Sequence, residues 1–234
     1  VVTPDVVMRL PRTLAAPPRM VLLRLLEDAA SELEEALVLL TACGVPECAH
    51  LPIGVIDRLL LAAHRAVVGR DLEVVVECPA CRTLNELPLG AADVPAYAPR
   101  WAWCGPGAGV REPTGADLLG LPDDPDAAAS ELLRRCTAGP TDAVDVPRTH
   151  AALDRAEQSL CGEVRVACIQ CEQTVVHHVD VQQLVVAAVA RAVAHVDIEV
   201  HLIASRYGWD LSTIEALPER RRVRLAALAA GAAR

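Results

Sequence analysis

A chain of 234 residues with 53% apolar content can bury a core as one or two domains, which excludes a disordered tail. Phe is absent and aromatics make up only 2%, so the core is aliphatic and few rings are free to stack on bases; with a formal charge of -9 besides, nucleic acid is not an expected partner. The most apolar stretch, Val181 to Ala204, carries Arg191, Asp197 and Glu199, and Val1 to Leu10 lacks the basic-then-apolar order of a secretory leader, so no membrane span and a cytoplasmic location are expected.

After a Pro-rich lead (Pro11, Pro17, Pro18), the apolar spacing from Met20 to Leu40 predicts one helix, with Glu27, Glu32, Glu34 and Glu35 on its solvent face. Gly44 and Pro46 stop it. Ile53 to Val68 predicts a second helix, with Asp57, Arg58, His64 and Arg65 around an aliphatic stripe and Gly69 as the C-terminal cap. From Leu72 the period falls to two, and a strand is expected to run into Cys78-Pro79-Ala80-Cys81 and to leave through Thr83 to Leu89. Val164 and Val166, then Cys168-Ile169-Gln170-Cys171, then Thr174 to Val179 repeat that grammar.

Between the two knuckles, Pro95 to Pro113 reads as a Pro/Gly-rich loop, and helical stretches are expected near Gly115 to Leu119 and Asp126 to Cys136. A linker over Gly139 to Pro147 and a short helix at Thr149 to Leu160 follow. Val181 to about Tyr207 predicts the longest helix, its apolar residues Val189, Val193, Val196, Val200, Ile203 and Tyr207 stepping alternately by four and three as in a coiled-coil-like seam. That seam serves either packing against Met20 to Leu40 or binding of a partner, self-association included. After a break at Gly208, a Ser212 to Leu217 helix and a last helix from Glu219 close the chain. Tyr207, Trp209, Ile214 and Leu217 are expected to bury together while Arg220, Arg221 and Arg222 face solvent or an acidic partner.

Zinc prefers tetrahedral sulfur and nitrogen ligands, and a two-residue gap in a tight turn lets both thiolates of a knuckle face one ion. Cys78, Cys81, Cys168 and Cys171 together make the ligand set of one structural zinc per chain, and strands flanking both pairs argue against a redox dithiol, which favours a helix N-terminus. His177 and His178 are the alternative ligands. Cys43, Cys48, Cys104, Cys136 and Cys161 are left as small hydrophobes. Four sulfurs leave no open coordination position, and nothing else resembles a catalytic set: the His195/Glu199 pair reads as a helix contact, and Gly105, Gly107 and Gly109 lack the helix and Lys of a phosphate cradle. An enzyme is not expected.

The expected fold is therefore mainly α with a small β zinc ribbon: a helical body clamped by two strand-knuckle-strand hairpins sharing one zinc, then a long C-terminal helix followed by short helices. Residues 1–70 would form an N-terminal helical region, 71–180 the split ribbon with an insertion at about 90–160, and 181–234 the C-terminal unit.

The order of parts becomes specific in Asp57-Arg58-Leu59-Leu60-Leu61, in Gly69-Arg70-Asp71-Leu72 before the first knuckle, and in Arg111-Glu112-Pro113-Thr114-Gly115-Ala116-Asp117-Leu118. Leu132-Leu133-Arg134-Arg135-Cys136, the second knuckle, His201 through Trp209 and Leu217-Pro218-Glu219-Arg220-Arg221 continue it. From roughly Ile53 to Ala230 the chain resembles the baseplate hub assembly chaperone family of T-even-type phages, whose bacterial relatives resemble products of contractile injection clusters. The resemblance implies a protein that contacts baseplate hub, spike or tube subunits, as a transient chaperone or as a particle component. This chain departs from it in the Val/Ala-rich stretch Val181 to Ala194, where relatives tend to carry bulky aromatics. The competing reading is a zinc-ribbon nucleic-acid-binding protein, with Arg220, Arg221, Arg222 and Arg224 as phosphate contacts.

Overall fold

The computed structural model describes residues 10–11, 13–90, 92–139 and 145–231. Helices dominate, and three small antiparallel sheets interrupt them. The expected first helix is two, α1 (Arg19–Glu27) and α2 (Glu32–Ala42). The break is built by capping: Ser31 Oγ accepts from the Glu34 N–H, and the Glu34 carboxylate accepts from the Ala30 N–H at 2.8 Å. α3 (Ile53–Val68) follows its expected span, and Gly69 closes it at φ 84°.

Strands β1 (Leu72–Glu77) and β2 (Leu84–Leu89) form one hairpin, with Leu72 opposite Leu89 and Glu77 opposite Leu84. The Pro95 to Pro113 stretch contains a second pair, β3 (Trp101–Gly105) and β4 (Ala108–Arg111), where sequence suggests only loop. A Cβ at Gly109 would lie 2.0 Å from Trp101 Nε1, so glycine is what lets the indole lie across the neighbouring strand. α4 (Gly115–Leu118) and α5 (Pro125–Cys136) follow, and β5 (Thr137–Ala138) adds to the edge of β4. Residues 140–144 of the expected linker lie outside the described residues. α6 (Val146–Ala156) begins earlier than Thr149 because Pro147 fits a first helical turn, and it ends before Leu160, whose N–H donates to Asp57 instead of continuing the helix.

β6 (Gly162–Ala167) and β7 (Thr174–Val179) make the last hairpin, in the register of the first: Gly162 faces Val179 and Ala167 faces Thr174. The long helix expected over Val181 to Tyr207 is two, α7 (Val181–Val193) and α8 (His195–Tyr207), meeting at Ala194. α9 (Leu211–Glu215) and α10 (Glu219–Ala229) finish the chain.

One aliphatic core joins both ends of the sequence. Leu22, Leu39, Leu40, Ile56 and Leu60 from the first three helices pack with Val181, Val185, Val189 and Val193 of α7. The boundary expected at residue 180 therefore does not divide the core. Smaller cores lie between the knuckle hairpins, inside the inserted sheet around Cys104 and Cys136, and within α8 to α10 around Ile203, Ile214 and Ala226. Among the described residues, no helix is long and apolar enough to cross a membrane.

Candidate metal centre

Each knuckle is a tight turn made by backbone bonds. The Cys78 N–H donates to Thr83 O and the Arg82 N–H to Cys78 O; the Cys168 N–H donates to Gln173 O and the Glu172 N–H to Cys168 O. To close these turns Arg82 and Glu172 adopt φ of 64° and 59°, left-handed values that side-chain-bearing residues disfavour. The result places both sulfurs of each knuckle on one side.

The β1–β2 and β6–β7 hairpins meet through their inner faces, Val74 and Val76 packing with Val175 and the buried Cys78 and Cys168. This brings the four sulfurs of Cys78, Cys81, Cys168 and Cys171 within 4.8 Å of one another. Sulfurs bound at about 2.3 Å to one tetrahedral ion lie about 3.8 Å apart. Here Cys78 and Cys171 are 3.7 Å apart and Cys81 and Cys168 3.6 Å, far beyond the roughly 2.0 Å of a disulfide. The spacing fits a metal ion, and both close pairs cross from one hairpin to the other. Cys171 is exposed and Cys81 half-buried, so the cluster opens to solvent on one side.

Backbone dipoles prepare the site for negative charge. The Gln170 and Cys171 N–H groups pull the Cys168 thiol down, whereas Cys171, although drawn down by the Gln173 N–H, is pushed up by the sulfurs around it and by burial. Hydrogen bonding from Thr83 pulls Cys81 down. Four thiolates this close repel one another, and a bound cation resolves that conflict. His177 and His178 lie on β7 outside the cluster.

Two polar residues of low sequence visibility hold the second hairpin in place. Asp57, fully buried in α3, accepts at Oδ2 from Ser159 Oγ and the Leu160 N–H, both at 2.8 Å, and at Oδ1 from Gln182 Nε2 at 2.8 Å. Leu160 precedes β6 and Gln182 follows β7, so one carboxylate grips both ends of the hairpin; burial pushes its pKa up against the pull of these donors. At the tip, Asn85 Oδ1 accepts from the Ile169 N–H at 2.9 Å. Asn85 occupies an inward position of β2, and a polar residue in that phase is the signal from which it could have been read.

Arg58 and Glu112 share backbone partners in the interior. Glu112 accepts from the Gly54 and Gln158 N–H groups and from the Tyr97 hydroxyl, while Arg58 donates to Pro95 O, Gly54 O and Gln158 O. A Cβ at Gly54 would come within 2.5 Å of Gln158 O, so this approach needs glycine. Arg111 binds Asp117 through both terminal nitrogens, and Asp117 also caps α4 with Thr114. Burial pushes Asp117 up, but Arg111 and Thr114 outweigh it and hold the carboxyl down to about 2.

The residues of the expected seam divide. Val189 and Val193 lie in the main core, Val196 and Ile203 are fully buried, and Val200 is half-buried against Ile203, so these side chains are occupied within the chain itself. The burial expected for the C-terminal group also needs correction: Ile214 is buried, but Tyr207 is 39% exposed and stacks at 5.6 Å on a half-buried Trp209, with Leu217 half-buried as well. Arg220 and Arg221 are exposed as expected. Arg222 is not, because its position one turn before Ala226 turns it inward, where Nε donates to Glu199 at 2.9 Å. Arg19 binds the other oxygen of Glu199 and also Glu219. Of the remaining thiols, Cys43, Cys48, Cys104 and Cys136 are buried and Cys161 half-buried. The chain matches no protein-family model, no curated protein and no solved structure.

Proposed function

We propose that this chain is a non-enzymatic protein-binding factor, built around one structural zinc in a split zinc ribbon, that serves assembly of the baseplate hub of a phage-tail-like contractile injection system. The observation that carries the zinc part is the cross-hairpin sulfur spacing of 3.6 and 3.7 Å among Cys78, Cys81, Cys168 and Cys171. Zinc is the metal that four thiolates at tetrahedral spacing suit best, and with all four positions filled by the chain its role is to clamp. The assembly part rests on the ordered motifs from Asp57-Arg58 to Arg220-Arg221 and on what faces solvent: Tyr207, backed by the half-buried Trp209, and the exposed Arg220 and Arg221. Aromatics and arginines are the residue types that anchor protein interfaces.

Elemental analysis of purified protein is expected to give one zinc per chain, and Cys168→Ser to release it and loosen the first hairpin too. Full zinc retention with unchanged affinity in that variant would refute the shared site. A pull-down from lysate is expected to recover hub, spike or tube subunits, and to lose them on Tyr207→Ala with Trp209→Ala. Electron microscopy of a deletion strain should show missing or unfinished baseplates; normal, firing-competent particles would refute the assembly role. Strongly salt-dependent binding to DNA or RNA, abolished by charge reversal at Arg220 and Arg221, would favour the nucleic-acid reading instead.

A further inference from the structure

We propose that Asn85 is the positioning residue of the metal centre, seating the second knuckle on the first hairpin so that the four sulfurs meet; this rests on the metal reading above. The two knuckle hairpins share one register, Leu72 facing Leu89 as Gly162 faces Val179. In that register the place of Asn85, opposite Val76 on β2, is taken on β7 by Val175, opposite Val166. Val175 is 3% exposed and packs in the apolar cluster between the hairpins, whereas Asn85, at 2%, puts an amide into the same layer.

A buried amide is costly unless its donors and acceptor are used. Those of Asn85 are: Nδ2 donates to Val76 O at 3.2 Å and to Thr83 O at 3.1 Å, and Oδ1 accepts from the Ile169 N–H at 2.9 Å. Turning the amide over would set Nδ2 against an N–H and Oδ1 against two carbonyls, so its orientation is fixed. The first two bonds hold the side chain to its own hairpin, beside the first knuckle. The third crosses to the peptide that directly follows Cys168.

That peptide governs the second knuckle. The next N–H along, that of Gln170, lies 3.5 Å from Cys168 Sγ, so a rotation of the Cys168–Ile169 peptide would move both the sulfur and the dipole directed at it. Among the described residues, the Asn85 bond is the one hydrogen bond that joins the two hairpins other than the sulfur contacts. Apolar packing brings the hairpins together but does not set their rotation about the ion. Asn85 supplies that constraint, and it does so from one side, since the symmetric position on β7 has no polar atom. Outer residues that orient metal ligands alter affinity by about 10- to 100-fold when removed.

The test compares wild type with Asn85→Leu, which keeps the branched shape without polar atoms, Asn85→Ser, which keeps polarity but cannot reach Ile169, and Val76→Ala as a packing control in the same layer. Cobalt(II) titration reads ligand geometry through its thiolate charge-transfer and d–d bands. Competition against a chelator reads zinc affinity well below the melting temperature. Both Asn85 variants are expected to bind zinc at least about 10-fold more weakly and to show altered cobalt bands, with Val76→Ala losing thermal stability but keeping wild-type affinity and spectrum. A wild type that binds while either folded Asn85 variant matches it in affinity and spectrum overturns the role of Asn85 alone. Equal weakening by Val76→Ala also overturns it, by reducing it to general packing. A wild type without a tetrahedral thiolate spectrum overturns the metal reading itself.

Discussion

Glu172 follows Cys171 at φ 59°, and Arg82 follows Cys81 at φ 64°. Neither is glycine, although a left-handed conformation costs a residue with a Cβ about 1 kcal/mol. Arg82 pairs with Glu77 across its hairpin, which offers some return, but among the described residues no such bond is seen for Glu172. Replacement of Glu172 by Gly and by Ala removes the same charge and leaves the backbone as the difference between them. Metal-loaded Glu172→Gly is expected to exceed Glu172→Ala in stability by about 1 kcal/mol, read from thermal or urea unfolding. Equal stabilities would mean that the second knuckle does not hold this turn in solution. The same close-up view explains Arg222. Residues at 222 and 226 share one helix face, and that face is turned to the small core of α8 to α10, so the last of the three consecutive arginines enters the interior while the other two stay out.

At the scale of elements, that inward arginine makes α8 to α10 depend on one carboxylate. Glu199 in α8 binds Arg222 of α10 and Arg19 of α1, and a buried Arg222 Nη2 has no partner of its own. Glu199→Gln should leave two arginines facing each other and cost about 3 kcal/mol, the loss falling on α8 and α10 in hydrogen exchange before the main core is affected. α4 has a pH-dependent anchor of the same kind. Asp117 is held down to about 2 from an ordinary value near 3.8, so its pairing with Arg111 stabilises fully above the ordinary value and is lost as pH falls toward 2. Asp117→Asn should therefore flatten the acid limb of the stability curve in that window.

These elements were legible to different degrees. α3 and both knuckle hairpins could be placed because their periods, 3.6 and 2, run unbroken between Gly69, Cys78 and Cys168. The β3–β4 pair was hidden, since Gly105, Pro106, Gly107 and Gly109 dilute the alternation and its stability comes from α6 and Trp101 packing over it. The α1–α2 break was written in Ser31 and Glu34, but the apolar period ran across it. Nothing local marks Ala194, where a good helix former sits at a break imposed by packing: α7 lies against α3 and α2, while α8 lies against α10. The four clustered cysteines stood out by spacing. Asp57, Asn85 and Arg222 act through partners tens of residues away, which no local pattern encodes, although the inward phase of Asn85 on β2 marks its burial.

On the scale of the whole molecule, the four-cysteine cluster and the main core are separate buried clusters joined at the bases of the two hairpins. The main core contains none of the four clustered cysteines, and it is closed by α7 packing on α3, α2 and α1. The cluster between the hairpins is small and counts Cys78 and Cys168 among its own buried residues, so without an ion it holds little. A structural zinc contributes on the order of 10 kcal/mol, far more than those few valines. Leu72 carries α3 into β1, and Val179 with Val181 carry β7 into α7; all three lie in the main core, and Leu89 and Leu184 pack against both clusters. Metal removal should therefore melt the tips of both hairpins while their bases remain tied to the helices, with Asp57 still gripping Leu160 and Gln182. A tight chelator is expected to abolish exchange protection at the knuckle ends of β1, β2, β6 and β7 but not at their bases, to leave most of the far-ultraviolet helical signal, and to split one thermal transition into two. Loss of the whole helical signal would show that the clamp governs the entire fold, and unchanged hairpin protection would show that the four cysteines need no ion to stay together.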